Sequence, residues 1–180
     1  MIICAGNNET FDFANPMGVG LIETSINLTR LCLFDKPEFL LFVGSAGSYG
    51  EKKIFDIVES KTSSNIELAF LNSDAYTPLD NVVTTNTTNK KDIVVNSSNY
   101  ISTNKELTKK FLNFGVGIEN MEFFAVLSVA KEFDIPAGGV FCITNYTDEN
   151  AHEEFLKNHD EAKELLSQHV KNRIKELTNR

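Results

Sequence analysis

Five apolar side chains in a row, Phe39-Leu40-Leu41-Phe42-Val43, run into a break of small residues, Gly44-Ser45-Ala46-Gly47-Ser48. A strand apolar at every position, rather than at alternate ones, belongs to a sheet covered on both faces. The small residues after it predict a turn in which backbone N–H groups come close to a polar ligand, with the Ser45 hydroxyl as a further donor. Open α/β sheets bind ligands at the carboxyl ends of such strands. This stretch therefore predicts a layered α/β domain with a site at one sheet edge.

The rest of the chain alternates in the same way. Met1 to Ala5 reads as a short strand, and Gly6-Asn7-Asn8-Glu9 as turn chemistry. After Asn15-Pro16-Met17-Gly18-Val19-Gly20, a helix is expected from Leu21 to Phe34, with Ile22, Ile26 and Leu33 at helical spacing and Asp35-Lys36-Pro37 as its stop. Ile54 to Val58, Ile66 to Phe70 and Ile93 to Val95 read as strands. Residues 72–91, rich in Asn, Thr, Ser and Asp, read as a mobile loop. Helices are expected at Lys105 to Leu112 and Asn120 to Phe133. A buried strand is expected at Ala137 to Thr144, followed by a helix capped by Thr147 or Asp148 and running to Leu177, with a bend near Asn158. The class is α/β, a three-layer α/β/α sandwich on a mostly parallel or mixed sheet, with all 180 residues in one domain.

Composition excludes several functions. Lys plus Arg is 17 against 25 Asp plus Glu, a net charge of -8, which argues against a nucleic-acid partner. No apolar run is long enough to span a bilayer, and no signal peptide is evident, so a cytoplasmic, membrane-free protein is expected. Cys4, Cys32 and Cys142 show no metal spacing and read as buried free thiols. His152, His159 and His169 lie in the C-terminal helical region without a second ligand nearby and read as solvated, so no metal or other cofactor is expected.

Four turns carry polar chemistry: Gly6 to Glu9, Gly44 to Ser48, Ser97 to Ile101, and Asn145 to Asp148; Met121-Glu122 opens a helix beside them. With Glu119-Asn120-Met121-Glu122-Phe123-Phe124-Ala125, Ile135-Pro136 and Val140-Phe141-Cys142-Ile143-Thr144-Asn145, the chain resembles the nucleoside phosphorylase and nucleosidase family. Nucleosidases of that family read V-E-M-E-x-x-A and then a strand ending I-S-D-x-A-D. The resemblance implies that Glu122 binds both ribose hydroxyls, that Met121 packs on the ribose face, that Tyr100 stacks on the base and that the Ile101 backbone reads the base edge. It implies that Glu9 activates the attacking water and that Ser45 holds water or phosphate. Other readings of these residues stand beside those roles: Glu122 as a helix-start carboxylate favoured by the dipole, Tyr100 as a strand-end tyrosine packed on the core, and Glu9 as an ordinary loop carboxylate.

The chain departs from the family pattern at three places. Phe42 stands where the phosphorylases carry a phosphate-clamping arginine. Of the three arginines, Arg30 lies mid-helix and Arg173 and Arg180 lie far along the last helix. Phosphate calls for charge-assisted donors, so hydrolysis is favoured over phosphorolysis. Asn145 stands where nucleosidases have a proton-donating aspartate. An amide delivers no proton, but it can donate to N7 and accept from a 6-oxopurine, as in the trimeric purine nucleoside phosphorylases that end this strand Ile-Thr-Asn. Asp148 is a substitute acid or a helix cap. Only Thr10 to Met17 fills the space where the family has a further hairpin and helix. The expected activity is cleavage of the N-glycosidic bond of a purine nucleoside, 6-oxopurine favoured, by water. A phosphorylase and a non-catalytic nucleoside-binding protein are the alternatives, and a homodimer is the expected assembly.

Overall fold

The structure is a computed structural model that describes residues 1–87 and 92–178. In chain order its elements are β1 (Ile2–Cys4), β2 (Asn15–Pro16), α1 (Gly20–Asp35), β3 (Leu40–Ser48), β4 (Ile57–Ser60), β5 (Thr62–Ser64), α2 (Leu68–Leu71), β6 (Val82–Thr84), β7 (Val94–Asn96), α3 (Lys105–Asn113), β8 (Val116–Glu119), α4 (Phe123–Glu132), β9 (Ala137–Tyr146) and α5 (Ala151–Thr178). The strands form one mixed sheet in which β3 is the hub. β3 pairs in parallel with β1 and with β9, and its last two residues pair antiparallel with β8. The path continues β8-β7-β5-β6, while β4 runs antiparallel along β9.

The all-apolar strand explains the layering. Phe42 faces the α1/α4 side, in a core with Leu28, Cys32, Phe123 and Phe141, whereas Val43 faces α5, with Cys4, Cys142, Leu166 and Val170. The rings of Phe42, Phe123 and Phe141 meet at centroid separations of 5.0 to 6.2 Å, tilted or edge-on, a geometry worth about 0.5–1.5 kcal/mol per pair beyond area burial. A third cluster, Tyr49, Ile66, Leu71, Phe111 and Val116, packs α2 and α3 against the end of the sheet. All three cysteines are buried and free, and burial pushes the Cys142 thiol up to about 12.

Several expectations are corrected. Gly44 to Ser48 is not a turn: the chain stays extended to Ser48, with a bulge between Ala46 and Gly47. Ile66 to Phe70 is not a strand; Leu68–Leu71 is a helical turn whose Phe70 and Leu71 N–H groups donate to the Glu67 carbonyl, and the strand lies earlier, at β5. Short apolar runs suit either state, and here docking of Ile66 and Leu71 on Phe111 decides it. The strand expected from Ile54 starts at Ile57, and α4 starts at Phe123 rather than Asn120. On α1 the buried face is Gly20, Thr24, Leu28 and Cys32; Ile22 and Ile26 are 67% and 55% exposed, and Leu33 is exposed too. The periodicity was right and the face was wrong, because small residues let α1 lie close on α4. The 72–91 stretch contains β6, and its residues 88–91 lie outside the described set, as does Arg180. α5 is unbroken at Asn158, whose side chain donates to the Thr144 carbonyl. Among the described residues no helix is long and apolar enough to cross a membrane.

Candidate active site

Where β1, β3, β8 and β9 end, a pocket of about 330 Å³ opens. Its wall is drawn from residues 5–9, Val19, residues 45–47, Ser98 with Tyr100 and Ile101, residues 119–122, and Asn145 with the start of α5. Of the four polar segments singled out in the sequence, Gly6 to Glu9 meets here in full, Gly44 to Ser48 contributes Ser45 to Gly47, Ser97 to Ile101 contributes Ser98, Tyr100 and Ile101, and the fourth contributes only Asn145. Asp148 is not in the wall; its carboxylate accepts the Asn150 N–H at 2.9 Å at the entrance to α5, which is a helix-entry role.

Glu9 is placed by a tight turn. Gly6 and Asn7 both have positive φ, 101° and 54°, and Gly6 and Glu9 exchange backbone hydrogen bonds, which sends the Glu9 side chain back over β3. There its Oε1 accepts from the Ser45 N–H at 3.0 Å and from the Ser45 hydroxyl. The small residues of β3 thus bring backbone and hydroxyl donors against the protein's own carboxylate. Gly44 is required for this approach: a methyl there would lie 2.9 Å from the Phe42 ring and 3.1 Å from Glu9 Oε2.

Glu122 sits at the other side. It is 3% exposed and accepts the Gly20 N–H at 2.8 Å, at the N-terminus of α1, while Leu21 N–H donates to Asn99 Oδ1. Glu122 thus stands at the start of α1, a helix remote in sequence, as well as directly before α4, where Asn120 Oδ1 accepts from the 122 and 123 N–H groups. Gly20 itself is at φ +78°, with Asn99 Oδ1 2.7 Å from where its Cβ would be, so only glycine fits. Burial raises the Glu122 pKa to about 7; the Gly20 N–H opposes the shift and the Glu9 charge adds to it.

Asn145 lies at the far wall, buried. Its Oδ1 accepts from the Thr144 hydroxyl at 2.8 Å and its Nδ2 donates to the Tyr146 carbonyl at 3.0 Å. Met121 lines the pocket beside Glu122. Tyr100 and Ile101 line it too, but they are 80% and 55% exposed, so Tyr100 is not packed on the core and its ring is open to a flat partner. Phe42 has no exposed surface and lies under the site rather than in it. Among the described residues no lysine or arginine lines the pocket; Arg30 is exposed on α1, and Arg173 reaches Glu59 and Glu176 at 3.7 and 3.6 Å.

Sequence reasoning missed two supports. His159 is not solvated: it is 8% exposed and its Nε2 donates to the Asn8 carbonyl at 3.0 Å, joined by Lys163 Nζ at 3.1 Å. α5 thereby holds the loop that carries Glu9. A lone helical histidine gives no sequence signal for such a contact. Glu119, which sits inside the motif already quoted, also lines the pocket. Its Oε1 accepts from the Ser102 N–H at 3.0 Å and its Oε2 from the Tyr49 hydroxyl at 2.9 Å. Asn120 ties this segment to β3, its Nδ2 donating to the Ser45 carbonyl at 3.0 Å. His152 and Phe155 complete the rim from α5.

Residues 92–175 match the sequence model of the Phosphorylase superfamily. The superfamily segment brings Tyr100, Met121, Glu122 and Asn145; Glu9 and Ser45 lie outside the matched residues and fold into the same pocket. Among solved structures, the chain is similar to 5′-methylthioadenosine/S-adenosylhomocysteine nucleosidase from Helicobacter pylori, with TM-score 0.78 and 19% identity over 91% of this chain and 79% of that one. Futalosine hydrolase of Helicobacter pylori gives TM-score 0.77 and 19% identity over 91% and 78%. The methylthioadenosine/S-adenosylhomocysteine nucleosidase of Streptococcus pneumoniae gives TM-score 0.74 and 13% identity over 93% and 94%. At these identities the likeness establishes the shared mixed-sheet fold. No curated protein sequence matches the chain.

Proposed function

We propose that the protein hydrolyses the N-glycosidic bond of a purine nucleoside. The observation that carries this reading is the pairing of two carboxylates across one pocket: Glu9, held by the Ser45 hydroxyl and N–H, and Glu122, buried at the N-terminus of α1. In this reading water attacks the anomeric carbon and gives a proton to Glu9, with Ser45 placing the water. Glu122 binds the ribose hydroxyls, and its negative charge opposes the positive charge that develops on the sugar in the transition state. Met121 packs on the ribose face, Tyr100 stacks on the base, and the Ile101 backbone with Asn145 reads the base edge. The Asn145 amide keeps one unused N–H and one unused lone pair, a pair of complements that suits a 6-oxopurine.

Water rather than phosphate is the nucleophile in this reading because, among the described residues, the pocket lining offers phosphate no lysine or arginine, and its carboxylates oppose a dianion. The structurally similar proteins are nucleosidases and a futalosine hydrolase by name, which supports the same chemistry. A homodimer is part of the proposal and is read directly by sedimentation.

The deciding experiment follows free-base release by chromatography from inosine, guanosine, adenosine, methylthioadenosine and a futalosine-type nucleoside, with and without phosphate. Release of hypoxanthine or guanine without phosphate is expected. Release only with phosphate would make the protein a phosphorylase. Nucleoside binding with no release would make it a binding protein, a reading favoured by an Asn145 whose amide is already engaged by Thr144 and Tyr146.

A further inference from the structure

Cleavage of a glycosidic bond to a purine leaves the electron pair of the C–N bond on the base, and a purine departs far more readily when a ring nitrogen is protonated. Asn145 has no proton to give, and both ends of its amide are engaged. Asp148 is outside the pocket. The ionisable side chains that line the pocket are Glu9, Glu119, Glu122, Tyr100 and His152. Glu9 is fixed to Ser45 and Glu122 to Gly20, both assigned to the sugar side. Tyr100 and His152 are exposed at the rim.

Glu119 is placed differently. It ends β8 and is held by Ser102, the residue that directly follows Tyr100 and Ile101, so the loop assigned to the base also fixes this carboxyl. Its position relative to Asn145 can be read at Gly47: a methyl on that residue would lie 3.3 Å from Glu119 Cγ and 3.2 Å from Asn145 Nδ2. Glu119 Cγ and the Asn145 amide nitrogen therefore flank the same point of the pocket wall. Both hydrogen bonds to Glu119 come from neutral donors, the Ser102 N–H and the Tyr49 hydroxyl, and it has no ion pair among the described residues.

We propose that Glu119 is the general acid of the cleavage and delivers its proton to a ring nitrogen of the departing base. The step rests on the nucleosidase reading above, and it balances without a co-reactant. The bond between the anomeric carbon and the base nitrogen breaks and its electron pair goes to the base. The Glu119 O–H proton moves to the base, which leaves neutral. Water forms the new bond to the anomeric carbon and passes a proton to Glu9. Exchange with solvent then restores Glu119 as acid and Glu9 as carboxylate. Burial raises the Glu119 pKa, with Ser102 and Tyr49 opposing, so the neutral form persists to higher pH than for an exposed glutamate. The titratable groups around it are the Tyr49 hydroxyl, pushed well above its ordinary value by burial and by the Glu119 charge, and, as the other ionisable groups of the pocket lining, Glu9, Glu122, Tyr100 and His152.

The test compares two leaving groups. Inosine needs a proton on its base, whereas the nitrophenolate of 4-nitrophenyl β-D-ribofuranoside leaves as a stable anion. Glu119→Gln is expected to slow hypoxanthine release by about 10²–10⁴-fold, the range for loss of a general acid, while nitrophenol release stays close to wild type. The wild-type rate with inosine should fall at alkaline pH, and with the nitrophenyl riboside it should not; this comparison needs no variant and stands even where Glu119→Gln does not fold. Equal losses on both substrates, an unaffected inosine rate, or a leaving-group-dependent loss that appears in His152→Asn instead would each overturn the assignment. A wild-type protein that releases nitrophenol but no base would overturn the acid alone, and one that releases neither would overturn the nucleosidase reading with it.

Discussion

At the scale of single residues, the site is a set of carboxyl groups whose environments differ. Of the three glutamates that line the pocket, Glu9 alone is held by a hydroxyl and a backbone N–H of the central strand. Glu9→Gln keeps the shape and removes the base, so base release should drop about 10²–10⁴-fold while calorimetric binding of the nucleoside persists. Glu122 makes a stability prediction as well. Its pKa is about 7 in the folded protein against an ordinary 4.5, so between these values the folded state holds a proton that the unfolded chain has released. Stability from this group is therefore fully present below about pH 4.5 and is lost as pH rises to about 7, a change on the order of 3 kcal/mol. Glu122→Gln removes the titration. Thermal unfolding of the two proteins should show the variant gaining on wild type between pH 5 and 8, and parallel curves would sink the prediction.

At the scale of elements, β3 and α5 act together on one loop. β3 presents Ser45 and, through the bare Cα of Gly44, leaves room for the Glu9 carboxylate; α5 grips the preceding carbonyl with His159 and Lys163. Gly44→Ala puts a methyl 3.1 Å from Glu9 Oε2 and 2.9 Å from a ring with no exposed surface to yield into, so Glu9 must move. A displacement of about 1 Å in a catalytic group can cost roughly 10²-fold in rate, and turnover in Gly44→Ala should fall by that order with KM less affected. His159→Ala leaves the Asn8 carbonyl to Lys163 and opens a gap beside Phe155. Stability should fall by about 1–3 kcal/mol, and turnover should fall with it if the grip positions Glu9. A loss of stability with unchanged turnover would confine His159 to a structural role. These contacts join residues about 150 positions apart in the chain, with |i−j| of 151 and 155, which is why no local pattern announced them.

At the scale of the whole molecule, what could be read from sequence was what local patterns carry. The all-apolar run placed the central strand and forecast helices on both faces, and the chain order of strands and helices gave the layered class. The motif residues Tyr100, Met121, Glu122 and Asn145 line one pocket with Glu9 and Ser45. What could not be read depends on tertiary choice: which face of α1 turns inward, whether Ile66 to Phe70 extends or coils, and that Glu122 caps a helix a hundred residues away. A phosphorylase must draw a dianion into its pocket and hold it through the transition state. This chain carries a net charge of -8, lines its pocket, among the described residues, with three glutamates and no lysine or arginine, and buries Phe42 in a cluster of aromatic rings where an arginine could not be desolvated without a partner. Raising phosphate from zero to saturating levels at constant ionic strength should leave the rate of base release unchanged, and the sugar product should be free ribose. A rate that climbs and saturates with phosphate, or a ribose phosphate among the products, would place a cation at the site that this fold does not supply.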